Sequence, residues 1–207
     1  MKIQNVAVAA TTLTAALVLT ACGGGEPAGS AGPAPVPTSA AAPAHNQADI
    51  AFAQGMIPHH QQAVEMAELA ADRAGSDDVR RLATAIGRAQ APEIARMRGF
   101  LAAWGAPESG GMPGMDHGST GHGTAHGAGH RGMAGMMTDE QLRGLEQARG
   151  AGFDRMFLEM MIRHHEGAVQ MARAELADGT NAEAKALARQ VVDAQQAEIT
   201  EMRELLG

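Results

Sequence analysis

Met161-Ile162-Arg163-His164-His165, followed by Ala168-Val169 and Met171-Ala172, is the second occurrence of a segment already read at Met56-Ile57-Pro58-His59-His60, Ala63-Val64 and Met66-Ala67. The offset is 105 residues and does not drift. Asp49 and Phe52 recur as Asp154 and Phe157. Downstream, Gln90, Glu93, Ile94, Met97, Arg98 and Leu101 recur as Gln195, Glu198, Ile199, Met202, Arg203 and Leu206. A repeat that keeps polar and sulfur-bearing residues along with apolar ones points to a duplicated site as well as a duplicated core.

The repeated segments have helical period. Phe52, Met56, His59, Ala63 and Met66 recur at three- and four-residue spacing and share one face. Asp49 is the expected cap of the first helix, and Pro58 is expected to kink it about one turn earlier. A second helix begins after Ser76-Asp77-Asp78, is interrupted by Pro92 and stops at Trp104-Gly105. Thr138-Asp139-Glu140-Gln141 has capping-box form and starts a short helix reaching about Arg149. The third main helix is expected from about Phe153 to Ala177, and Asn181 starts the fourth, which reaches Leu206.

Four amphipathic helices with short turns inside each pair predict an all-α protein, a four-helix bundle made of two repeated helical hairpins. Neither hairpin can cover its own apolar face. The two are therefore expected to close on each other within one chain, about a pseudo-twofold axis, rather than dimerise with other chains. Composition agrees. There are four Phe, one Trp and no Tyr, so Ala, Met and Leu fill the interior and favour helix over strand.

The ends and the middle read differently. Residues 1–21 form a targeting signal: Lys2, then an apolar run from Val6 to Leu19 too short to span a bilayer comfortably. Leu19-Thr20-Ala21-Cys22 resembles a bacterial lipobox, which implies a diacylated Cys22 and an anchor on the extracytoplasmic face of a membrane. Residues 22–47, rich in Gly, Pro, Ala and Ser, are expected to be a disordered tether. Residues 48–207 hold the helical domain: repeat one at 49–104, a low-complexity loop at 105–137, repeat two at 138–207. The loop is glycine-rich and carries His117, His122, His126 and His130 among Met112, Met115, Met133, Met136 and Met137. It is expected to be disordered without metal and to capture metal through those histidines.

Charge and cysteine content exclude several classes. The formal charge of −7 is spread without a basic stripe, so nucleic acid is not expected as a partner. Cys22 is the only cysteine, which rules out an intrachain disulfide and a cysteine-rich zinc site. No nucleophile–base set, phosphate loop or nucleotide fingerprint occurs, so no enzyme activity is expected. A di-iron oxidase needs Glu-x-x-His motifs, and no Glu stands three residues before a His in either repeat.

What remains is soft-metal chemistry. Imidazole suits copper, zinc and nickel, and thioether sulfur selects Cu(I) or Ag(I). His59 has Met56 and Met66 as face neighbours; His164 has Met161 and Met171. His60 and His165 point about 100° away, towards the edge of the stripe. Glu93, Met97, Glu198 and Met202 stand on the second helix of each hairpin where an apolar stripe belongs. Neutral histidine is needed for binding, so affinity is expected to fall below about pH 6. A methionine stripe is also ordinary core packing, and a buried His beside a Glu is also a simple hydrogen-bonded pair.

The run Phe157-Leu158-Glu159-Met160-Met161-Ile162-Arg163-His164-His165-Glu166-Gly167-Ala168-Val169-Gln170-Met171-Ala172, with its copy around Met56-Ile57-Pro58-His59-His60, resembles the signature of the DUF305 family. The resemblance spans about Ala48 to Leu206 apart from the glycine-rich loop. It implies a ferritin-like four-helix bundle. It also implies exported copper binding linked to copper resistance, as in some members. Carried over by position, the implied ligands are Met56, His59, His60 and Met66 in one half and Met161, His164, His165 and Met171 in the other. The expected function is a lipid-anchored copper protein for sequestration or delivery, holding Cu(I), with Cu(II) or Ag(I) as alternatives, and meeting an envelope copper-handling partner. The alternatives are a metal-free interaction bundle of the cell envelope and, third, a metal-dependent redox enzyme.

Overall fold

The structure, a computed structural model, describes residues 44–108 and 133–207. The signal segment, Cys22, most of the tether and His117, His122, His126 and His130 lie outside the described residues. Four long helices form the bundle: α1 (Gln47–Arg73), α2 (Asp77–Trp104), α4 (Gly150–Asp178) and α5 (Ala182–Leu206). The short α3 (Asp139–Gln147) stands before the second hairpin. α1 packs mainly on α2, α4 on α5, and the hairpins meet chiefly through α1 against α4. The two hairpins therefore close on each other within one chain.

Local chemistry explains most boundaries. Thr138 caps α3 in the expected capping box with Gln141, and Asn181 caps α5. Gly105, at φ 67°, ends α2 in the left-handed region that glycine enters freely. Three boundary readings need correction. Asn46, not Asp49, caps α1; Asp49 sits three residues inside and returns the bond to the Asn46 amide. α4 begins at Gly150, ahead of Phe153, because Gly150 takes φ 59° and turns the chain into the helix. Pro92 does not interrupt α2; Pro58, from which only a kink is expected, likewise lies inside a continuous α1. Each proline removes one ladder bond, but Arg88 and Pro92 are exposed and Gln54 and Pro58 half-buried, so solvent can reach the freed carbonyls.

Asp49 has a larger task than capping. Its carboxylate accepts from the backbone amides of Thr180 and Asn181 and from the Thr180 hydroxyl. Asp154, its repeat partner, accepts from the amides of Gly75 and Ser76. Each hairpin thus holds the turn of the other through the same aspartate, which is the twofold relation written in hydrogen bonds. Asp49 is fully buried, whereas Asp154 is half-buried. Asp49→Ala is expected to cost ~2–4 kcal/mol and Asp154→Ala ~1–2 kcal/mol, read as shifts in urea midpoint. Equal costs would mean that burial does not set the strength of these ties.

The core divides between two clusters. One gathers Met66, Met161 and Met202 with Phe153 and Phe157. The other gathers Met56 and Met97 with Phe52, Leu101 and Trp104, and Met171 packs against it. The repeat exchanges these sets, so each cluster draws methionines from both halves.

Candidate metal centre

Between those clusters lies a polar layer. His59, His60, His164 and His165 are all fully buried. His59 and His164 face each other across the α1–α4 contact, with ring centroids 3.8 Å apart and planes tilted by 42°. They are repeat equivalents in mutual contact, which places them at the pseudo-twofold axis. His60 and His165 do not sit at a stripe edge as expected. They turn into the interior of their own hairpins, where His60 Nε2 donates to Glu93 Oε2 at 2.7 Å and His165 Nε2 donates to Glu198 Oε2 at 2.7 Å. The two glutamate side chains retain 19% exposure, so each links a buried ring to the surface. Gln90 and Gln195 stand one turn before the glutamates, buried, with unpartnered amide atoms.

The nitrogens are arranged unusually. All four histidines keep a buried Nδ1 without a hydrogen-bond partner, and His164 lacks one at Nε2 as well. His59 Nε2 lies 3.1 Å from the carbonyl oxygen of Ala134. That oxygen only accepts, so Nε2 carries the proton and Nδ1 presents a bare lone pair in neutral His59. Burial pushes the His59 pKa down to about 3, against the pull of the Ala134 carbonyl. Burial also holds His164 well below its ordinary value, reinforced by its imidazole neighbours. Both rings are therefore neutral at ordinary pH, and the expected loss of affinity below about pH 6 does not apply to this pair.

Ala134 belongs to a segment that the sequence placed in a disordered loop. Residues 133–137 instead form a strap across α1 and α4. Gln62 grips Met137 with both amide atoms: its Nε2 donates to the Met137 carbonyl at 3.0 Å and its Oε1 accepts from the Met137 amide at 2.7 Å. Gly135 takes φ 81°, and any Cβ there would come within 2.5 Å of the Arg163 carbonyl oxygen. A Cβ on Gly167 would lie 2.0 Å from the Ala134 oxygen. Two glycines thus let the backbones touch. Gln62 and Gly167 occupy the same repeat position, and that one departure from symmetry, unremarked in the sequence reading, seats the strap.

Glu175 is another residue missed in the sequence. It is buried beside Asp49, and its repeat position in the first half is Ala70. Burial raises its pKa to about 8, helped by the hydrogen bond and charge of Asp49. Burial would raise Asp49 as well, but the amides of Asn46, Asn181 and Thr180 and the Glu175 proton hold it below its usual value. Two titrations then oppose each other. Between about 3 and 6.5 the unfolded chain binds a proton at His59 that the native state refuses, so stability rises with pH. Between 4.5 and about 8 the native state keeps a Glu175 proton that the unfolded chain has released, so stability falls with pH. The urea midpoint is expected to peak where the two windows overlap, between pH 4.5 and 6.5. Glu175→Gln should flatten the alkaline limb and leave the acid limb; an unchanged alkaline limb would refute the assignment.

Among the described residues, no three His, Cys, Asp or Glu side chains gather around one point. The donor set is therefore not a closed nitrogen–oxygen cage. It consists of buried, unpartnered imidazole nitrogens with a methionine cluster on either side along α1 and α4, and such donors fit a soft ion of low coordination number. The methionines expected as ligands, Met56, Met66, Met161 and Met171, lie in or against those clusters. The physical grouping crosses the halves, placing Met56 and Met97 with Met171, and Met66 with Met161 and Met202.

The profile of the domain of unknown function DUF305 matches residues 49–206. The chain belongs to the DUF305 family. Among solved structures it is similar to a DUF305 protein of Streptomyces coelicolor, named as a secreted protein, at 38% identity and TM-score 0.65, over 77% of this chain and 91% of that one. A DUF305 fragment from Deinococcus radiodurans matches at 33% identity and TM-score 0.65, covering 80% and 99% of the two chains. CopM in its Cu(I)-bound form matches at 30% identity and TM-score 0.57, covering 76% and 94%. The same protein is also solved with Cu(II) and with Ag. No curated protein sequence matches the chain. The DUF305 helices of this chain contain none long and apolar enough to cross a membrane, among the described residues.

Proposed function

We propose that this DUF305 chain is a lipid-anchored, extracytoplasmic copper-binding protein that sequesters or delivers Cu(I). The observation that carries the reading is the quartet of buried imidazoles, each with an unpartnered Nδ1, centred where the two repeats meet. A buried polar atom without a partner costs ~1–3 kcal/mol, and a core that served only to pack would have replaced it. The His60–Glu93 and His165–Glu198 pairs support the same reading. A carboxylate on one ring nitrogen orients the other and raises its basicity towards a metal. Similarity to CopM, solved with Cu(I), Cu(II) and Ag, favours a soft ion as cargo. Export is supported by the Leu19-Thr20-Ala21-Cys22 sequence and by the naming of the Streptomyces relative as a secreted protein. The protein's part is binding and transfer, with no catalytic step.

The deciding experiment is titration of the mature chain with Cu(I) under reducing conditions and with Ag(I), followed by thermal unfolding. An ion held by the native state alone raises stability by RT ln(1 + [L]/Kd), about 2.7 kcal/mol at a hundredfold excess over Kd. No tight binding and no thermal shift would leave the second reading, a metal-free structural bundle.

A further inference from the structure

The surface above the imidazole layer carries two sulfurs that converge on a glycine. At Gly55 an ideal Cβ would lie 3.7 Å from Met133 Sδ and 3.7 Å from Met171 Sδ. The two thioethers arrive from different elements, Met133 from the strap and Met171 from α4, and both are half-buried. Gly55 thus leaves a cradle that any side chain would fill. The repeat makes this specific: the position equivalent to Gly55 is Met160, a buried side chain, so the other half has no such opening.

The cradle is held in place and leads inward. Gln62 pins the strap at Met137, and the Gly135–Gly167 contact presses it against α4. Ala134, next to Met133, holds the Nε2 of His59, and His59 lies one turn beyond Gly55 on the same face of α1. The imidazole itself is sealed from solvent, whereas Met133 and Met171 are only half-buried.

We propose that Met133 and Met171 form a surface thioether site for a soft monovalent cation, a port through which Cu(I) or Ag(I) reaches the His59–His164 layer. Two neutral sulfurs select such ions over Zn(II), Mg(II) or Ca(II), which prefer nitrogen, thiolate or oxygen donors. The port rests on the copper-binding reading above and shares Met171 with the ligand set carried over there; Met133 is the added donor, and separate methyl and imidazole signals tell failure of the port from failure of that reading.

The test is a titration of the full mature chain with Ag(I), followed by NMR of 13C-methyl methionine and 15N-labelled imidazole. The first equivalent should shift the Met133 and Met171 methyl signals together, and Zn(II) should not move them. Met133→Leu keeps the volume of the side chain and so the fold. It should abolish the Met171 shift as well as its own. Gly55→Leu keeps both sulfurs but fills the cradle, and should block the shift in the same way. Imidazole shifts without methyl shifts would overturn the port and leave the copper-binding reading intact. Methyl shifts without imidazole shifts would overturn the port as a route inward, leaving a surface thioether site and removing the buried one. A Met171 shift that survives Met133→Leu would also overturn the port.

Discussion

Replacing His59 and His164 together by leucine is expected to abolish tight Cu(I) binding while leaving the empty bundle as stable as before, or more so. The two effects have one cause. The rings touch at the twofold axis, fully buried, and between them leave three ring nitrogens without partners. Burial already keeps both neutral, so no charge is lost in the exchange. Leucine has no nitrogen to strand and fills comparable space, so removing these orphaned atoms should return ~1–3 kcal/mol to the apo protein. The Ala134 carbonyl that loses His59 sits on an exposed residue and can turn to water. Metal affinity should drop by ~100-fold or more, equivalent to about 2.7 kcal/mol, because two central donors disappear. Apo urea midpoints and competitive Cu(I) titration read the two quantities independently. Unchanged affinity would show that the central rings are not ligands. Lost affinity with a sharp loss of apo stability would show that the rings were chosen for packing.

Much of this was legible in the chain because a gapless repeat constrains helices, turns and core together. The 105-residue offset pairs Asp49 with Asp154, His60 with His165 and Glu93 with Glu198, and the contacts they make are symmetric. Helical period placed Phe52, Met56, His59 and Met66 on one buried face, and all four are buried. Period alone could not say where His60 and His165 go. A residue about 100° off the stripe is at an edge for a lone helix, but in a bundle a second neighbour covers that edge. The strap was hidden for another reason. Composition marks Met133–Met137 as linker, and only tertiary contacts with Gln62, Gly167 and Gly55 order it. The signal was present as broken symmetry: Gln62 against Gly167 and Gly55 against Met160 are places where the repeat stops matching. Glu175 against Ala70 is a third, and it marks the buried carboxyl pair. Where a duplicated chain departs from itself at buried positions, something outside the repeat is touching it.

That rule gives the second large effect. Gly167→Ala is expected to destabilise the protein although it sits inside α4, where alanine is the better helix former by ~1 kcal/mol. A methyl at Gly167 would meet the Ala134 carbonyl oxygen at 2.0 Å and its carbon at 2.5 Å. These are backbone atoms, so no rotamer change relieves the overlap; the strap must lift. Lifting it breaks the His59–Ala134 bond and both bonds between Gln62 and Met137, and exposes the buried Met137 side chain. Three hydrogen bonds and one apolar side chain outweigh the gain in propensity, for a net loss of ~2–4 kcal/mol. The urea midpoint gives the total, and hydrogen exchange at the Met137 amide locates it, since that amide is shielded only while Gln62 holds it. An alanine variant that gained stability with the Met137 amide still protected would show that the strap does not depend on this glycine. If the amide exchanges freely and the Ag(I) response of Met171 vanishes together, the strap is both the cover of the imidazole layer and the carrier of the outer sulfur. One methyl placed on α4 would then disconnect the surface from the core without touching a single donor atom.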